Sequence, residues 1–134
     1  MRTGSFARVF FAGVLLSTAG WAAAQAGALE IRWDERGGAA LRTQVAAGGF
    51  TEWCGLVRAG ESVNWEFEAA EPLDMNVHYR EGRTVHFAAQ RDSVRLWQGT
   101  LQAAVEHQYC WSWANRQPTP VALQARLQKP LSVR

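Results

Sequence analysis

The sequence has a single lysine, no long apolar run and no excess of either charge once its first segment is set aside, and each shortage removes a class of function. Lys129 is the only lysine among 14 basic residues, against 12 acidic ones. Two of the arginines, Arg2 and Arg8, fall in a segment that reads as a removable leader, and without them the basic count drops to 12, equal to the acidic count. A neutral chain without a basic run offers no electrostatic reason to hold nucleic acid or an anionic membrane. No stretch approaches the roughly 20 apolar residues that a membrane-spanning helix needs. Catalytic signatures are missing as well: there is no G-x-S-x-G, no glycine loop of the phosphate-binding kind and no CxxC, HxH or HxxxH spacing. Asp74 and His78 would form an acid–base pair only beside a nucleophile and a pocket, and the sequence names neither. No enzyme and no cofactor is expected.

What is present begins with an export signal. Arg2 and Arg8 supply a positive start, Val9 to Leu16 an apolar run too short to span a bilayer, and Ala22-Ala23-Ala24 a small-residue cleavage site. Residues 1–24 are therefore expected to be a secretory signal peptide, and 25–134 a single domain in the periplasm or outside the cell. No cysteine follows the apolar run, so a lipid anchor is not expected either. Cys54 and Cys110 both lie in the mature part. An even cysteine count behind an export signal predicts a structural disulfide in an oxidising compartment.

Apolar residues recur with a period of two, the mark of strands with one buried face. Val63, Trp65 and Phe67 alternate with Asn64, Glu66 and Glu68. Leu73, Met75, Val77 and Tyr79 alternate with Asp74, Asn76 and His78, and the Glu81-Gly82 turn then leads into Thr84-Val85-His86-Phe87 as a β-hairpin. Further strands are expected at 29–33, 94–97, 107–113 and 121–127. Turns separate them at Gly37-Gly38, Gly48-Gly49, Ala59-Gly60, Glu71-Pro72, Gly99 and Pro118-Thr119-Pro120. The Ala-rich stretch 101–105 is the one candidate for a helical turn. Seven or eight short strands at this spacing predict an all-β fold, an antiparallel β-sandwich of jelly-roll type.

These residues resemble the Golgi-dynamics (GOLD) β-sandwich over about 50–128. The resemblance rests on Cys54 opening the domain, the Ser62–Glu68 strand, Pro72-Leu73-Asp74-Met75-Asn76-Val77, the Glu81-Gly82 turn and Tyr109-Cys110-Trp111-Ser112-Trp113-Ala114-Asn115. It implies a disulfide between two strands and a non-catalytic module that recognises a protein or a lipid. The chain departs from the family pattern where Tyr109 abuts Cys110 and Asn115 stands farther on.

Two sets of residues are candidates for a site. Tyr109, Trp111 and Trp113 share one strand parity, and Cys110 and Ser112 share the other. Either the rings fill the core and the disulfide faces out, or the rings form an exposed platform for a ligand. The alternative to a binding module is a periplasmic copper or zinc protein using Met75, His78 and His86. Its geometry depends on the hairpin: a two-residue loop sends His78 and His86 to opposite faces, and a three-residue loop brings them together.

Overall fold

A computed structural model describes residues 27–131, so the expected signal peptide lies outside the described residues. The chain forms seven strands: β1 (Ala28–Glu30), β2 (Gly38–Val45), β3 (Phe50–Val57), β4 (Ser62–Glu81), β5 (Thr84–Gln102), β6 (His107–Ala114) and β7 (Val121–Gln128). They make one curled sheet in the order β1-β3-β6-β4-β7-β2, with β5 on the remaining side of β4.

The expected antiparallel sandwich needs two corrections. First, β1 runs parallel to β3, with Leu29 level with Trp53, so the sheet is mixed. Second, the two halves are not separate sheets, because β4 belongs to both. Its first half pairs with β7 from Asn64 to Ala69, and its second half pairs with β6 from Asp74 to Tyr79. Glu71-Pro72 is therefore a bend inside one 20-residue strand, and not a turn between two strands. The ladder to β5 is interrupted between Glu68 and Leu73, where proline's missing N–H costs no bond. The bend in β4, which pairs first with β7 and then with β6 while β5 follows it along the other side, curls the sheet into a half-barrel.

The period-two reading holds inside these strands. Val63, Trp65, Phe67, Leu73, Met75 and Val77 are all buried, as are Val121, Leu123, Ala125 and Leu127 on β7. Burying a large apolar side chain contributes about 1.5–3 kcal/mol, so this stripe is the main stabilising feature. Close packing inside the curl sets local sequence. The Trp65 ring lies across Gly99, where an added Cβ would stand 2.6 Å from its Cζ2 atom. Gly99 is thus a strand residue chosen for an approaching ring, and not the expected turn. The 101–105 stretch holds no helix: Leu101 and Gln102 end β5, and Ala103 exchanges backbone hydrogen bonds with Gly60 and Glu61.

Asn115, just beyond β6, ties the curl together. It is 2% exposed, and its amide nitrogen donates to the carbonyls of Val45, Ala46 and Thr119 while its oxygen accepts the Gln117 N–H. Buried polar groups persist where every valence is used, and this one joins three chain segments.

Candidate binding face

The disulfide sets which side of the molecule is which. Cys54 and Cys110 stand directly opposite each other on β3 and β6 and are bonded, with Cα atoms 4.1 Å apart. Their neighbours Trp53 and Trp111 form the next opposed pair and point the other way. Tyr109, Trp111 and Trp113 are 2%, 0% and 1% exposed, so the rings fill the core and the platform reading does not hold. The cause is packing: Trp113 meets Phe67 edge to face at 5.8 Å across the curl, and Tyr109 meets Tyr79 at 5.1 Å while donating its hydroxyl to the Val105 carbonyl. Burial pushes the Tyr109 hydroxyl above the ordinary tyrosine pKa.

The copper or zinc set is not brought together. The hairpin has a two-residue loop, Gly82-Arg83, closed by Glu81 opposite Thr84, with Gly82 at φ 59°. In the register this loop sets, Tyr79 pairs with His86 and His78 with Phe87, and the ladder becomes irregular only beyond them, at Val77. His86 stacks on Tyr79 at 4.6 Å with the planes 13° apart, on the core side. His78 is level with Cys110, on the disulfide side. Met75 is level with Trp113 and belongs to the core. His78 thus points to the side of the sheet opposite Met75 and His86. Asp74 does not serve His78: its carboxylate accepts from the Ser93 N–H at 2.9 Å and pairs with Arg116 at 2.6 Å.

The side of the sheet that carries the disulfide is organised in rows across β3, β6, β4 and β5. One row is Glu52, Ser112, Asn76 and Gln90, and the next is Cys54, Cys110, His78 and Phe87. Between these rows sits a polar hub. The His78 Nδ1 lies 2.6 Å from the Asn76 Oδ1, so Nδ1 carries the proton and donates to it. The Nε2 of His78 lies 3.6 Å from the Glu52 Oε1 and makes no hydrogen bond among the described residues. Arg80 donates to the same Glu52 oxygen at 3.1 Å. His78 is only 3% exposed although it faces away from the core, because the Phe87 ring covers it at 6.1 Å. Burial lowers the pKa of His78, the Glu52 carboxylate pulls it back up, and Arg80 adds to the lowering; burial prevails, and the imidazole is held below its ordinary value.

Around the hub stand exposed apolar side chains: Phe50, Leu56, Val85 and Phe87, exposed by 42%, 51%, 40% and 53%. Of these residues, sequence reasoning singled out only His78, as a metal ligand; Glu52, Arg80 and the apolar rim were missed. Their signal lay in β3, whose apolar and polar residues do not alternate cleanly: Trp53, Cys54 and Gly55 are buried in succession. A second surface lies on the outer side of β2, β7 and the first half of β4. Two adjoining open grooves of about 750 and 670 Å³ share Ala40, Glu66, Gln98 and Arg126. The side chains that face outward there, among them Asn64, Glu66, Gln98, Gln124 and Arg126, alternate with the core residues of the same strands and are mostly polar, with Leu96 exposed among them.

No protein-family model matches the sequence, and no curated protein matches it. The GOLD resemblance thus gains no support beyond the β-rich architecture and the disulfide. Among solved structures, the chain is similar to PliG of Aeromonas hydrophila, a periplasmic lysozyme inhibitor of g-type lysozyme. The identity is 13% and the TM-score 0.62, over 76% of this chain and 95% of that one. A de novo designed double-stranded β-helix is similar at 16% identity and a TM-score of 0.37, over 67% and 96%. The likeness to PliG is one of fold.

Proposed function

We propose that the chain is an exported, non-catalytic binding module, one domain over 25–134, that recognises another protein through its disulfide-bearing face. The observation that carries this reading is that face: exposed Phe50, Leu56, Val85 and Phe87 surround a hub of Glu52, His78 and Arg80 whose side chains are already held in place. Aromatic and arginine side chains on a preorganised surface are what protein interfaces draw their binding energy from. A lipid surface is served less well, because Glu52 and Arg80 interrupt the apolar side chains. Export is supported by the leader and by the disulfide, which suits an oxidising compartment. The likeness in fold to a periplasmic inhibitor makes a lysozyme the first partner to try.

The test is a lysis assay with g-type lysozyme and the mature, oxidised chain. Stoichiometric inhibition is expected, with Phe87→Glu weakening it by tenfold or more, the loss that about 1.4 kcal/mol of binding energy represents. Undiminished lysis and no binding by calorimetry to lysozymes of any class would remove this partner.

A further inference from the structure

One buried group on the disulfide-bearing face has no partner. The His78 side chain is 3% exposed, and its Nε2 makes no hydrogen bond among the described residues. The Nδ1 proton goes to the Asn76 Oδ1 at 2.6 Å, so Nε2 is unprotonated and carries a lone pair. It stands 3.6 Å from the Glu52 Oε1, which is also an acceptor, with no hydrogen between them. Trp111 and Trp113 bury unpaired N–H groups too, but in the core; the His78 nitrogen lies next to the surface, beside Glu52 and Arg80, whose side chains are 16% and 64% exposed. A buried polar atom left open at the edge of a docking surface is completed by what docks there.

The gap specifies the chemistry that fits it. Nε2 and the Glu52 oxygen each take a donor, and Arg80, with N–H groups to spare beyond the one it gives Glu52 at 3.1 Å, takes an acceptor. The charges of Glu52 and Arg80 cancel while His78 is neutral, so an incoming ammonium or guanidinium would add uncompensated charge beside Arg80. A hydroxyl brings one hydrogen for two acceptors. A primary carboxamide is neutral and brings two N–H groups and a carbonyl, the set that the three side chains lack. Its nitrogen, at about 2.9 Å from each acceptor, bridges a gap of this width. We propose that His78, Glu52 and Arg80 form a receptor for one primary carboxamide, the side chain of an asparagine or glutamine on the docking protein. The receptor rests on the reading that this face docks a protein, and it names the group that protein presents. The Phe87 ring, 53% exposed and 6.1 Å from the imidazole, is the cover that turns outward to admit it. Asn76 is a positioning residue, because it holds the tautomer in which Nε2 accepts.

The test uses the mature, oxidised chain as bait for a phage-displayed library of disulfide-constrained random peptides, with Phe87→Glu used to discard binders to other faces. The retained peptides are expected to share an asparagine or glutamine, and changing it to the isosteric acid should raise the Kd by tenfold or more. Glu52→Gln should also raise the Kd by tenfold or more, because the new amide donates to Nε2 and fills the receptor from within. In that variant, without any peptide, the His78 Nε2 nitrogen resonance should move upfield as it accepts a hydrogen bond. If no peptide is retained, the docking reading falls and this inference with it. Peptides anchored by another side chain, or a Kd or nitrogen resonance unchanged in Glu52→Gln, would overturn this inference and leave docking standing.

Discussion

At the scale of single residues, the fold is most exposed to change where a side chain has been given up so that another can enter. Gly99 is such a position. An alanine there sets a methyl group 2.6 Å from the rigid Trp65 ring, which itself meets Trp97 edge to face at 4.8 Å and cannot swing aside. Gly99→Ala should destabilise the protein by about 1–3 kcal/mol, read from urea denaturation, the usual range for overpacking a filled core. His78 gives a prediction of a different kind. Its folded-state pKa lies below the ordinary value near 6.5, because the buried imidazole resists protonation. The unfolded chain therefore binds the proton more readily, and the contribution of this group is present above pH 6.5 and is lost as pH falls through the folded-state value. Denaturation midpoints should decline on acidification below that pH, and His78→Gln should flatten the decline in that window. A midpoint equally steep in the variant would show that other groups carry it.

At the scale of elements, β4 and β5 decide the architecture, and they are also where sequence reasoning reached its limit. Alternation in Val63-Trp65-Phe67 and in Leu73-Met75-Val77 identified both buried stripes correctly, since period-two patterning reports which side is wet. It could not report that the two stripes belong to one strand. Pro72 reads locally as a break, and only the pairing of β4 with β7 and then β6 shows it to be a bend. Strands β2 and β3 were missed for different reasons: β2 begins within the Gly37-Gly38 pair and its inward positions Ala39, Leu41 and Thr43 are small, polar or only half-buried, so its alternation is faint in the sequence, and β3 is buried on consecutive residues and does not alternate. The cysteine pairing was legible from count and compartment. The side it occupies was not, because parity leaves a strand's two faces equivalent until its partners are known. Cys54 and Cys110 are 56 residues apart, so removing their bond should cost about 4 kcal/mol on the chain-entropy account. Cys54→Ser with Cys110→Ser, compared with the oxidised protein in urea, measures it.

At the scale of the whole molecule, the half-barrel divides labour between its surfaces. The inside is filled by tryptophans and β7 aliphatics, and one outside is an ordinary solvated sheet. The long outer strand β5 has an unpaired edge, an open invitation to other strands, yet it is irregular: Ser93 sits at φ 53°, and the ladder to β4 shifts register on either side of the 89–91 stretch. Bulged and charged edges of this kind discourage sheet-to-sheet aggregation. Docking through side chains on the disulfide face thus fits the molecule better than strand addition along β5, and Phe87 lies where that face meets the edge.

The central claim is that a protein partner docks on the face carrying Phe87, Glu52 and the disulfide, and calorimetric titration of g-type lysozyme with three forms of the chain tests it most directly. The account predicts binding by the unaltered protein, a tenfold or greater loss in Phe87→Glu, and an unchanged Kd in Gln124→Ala on the opposite grooves. Equal binding by the Phe87 and unaltered forms, with the loss falling instead on the Gln124 variant, would contradict it.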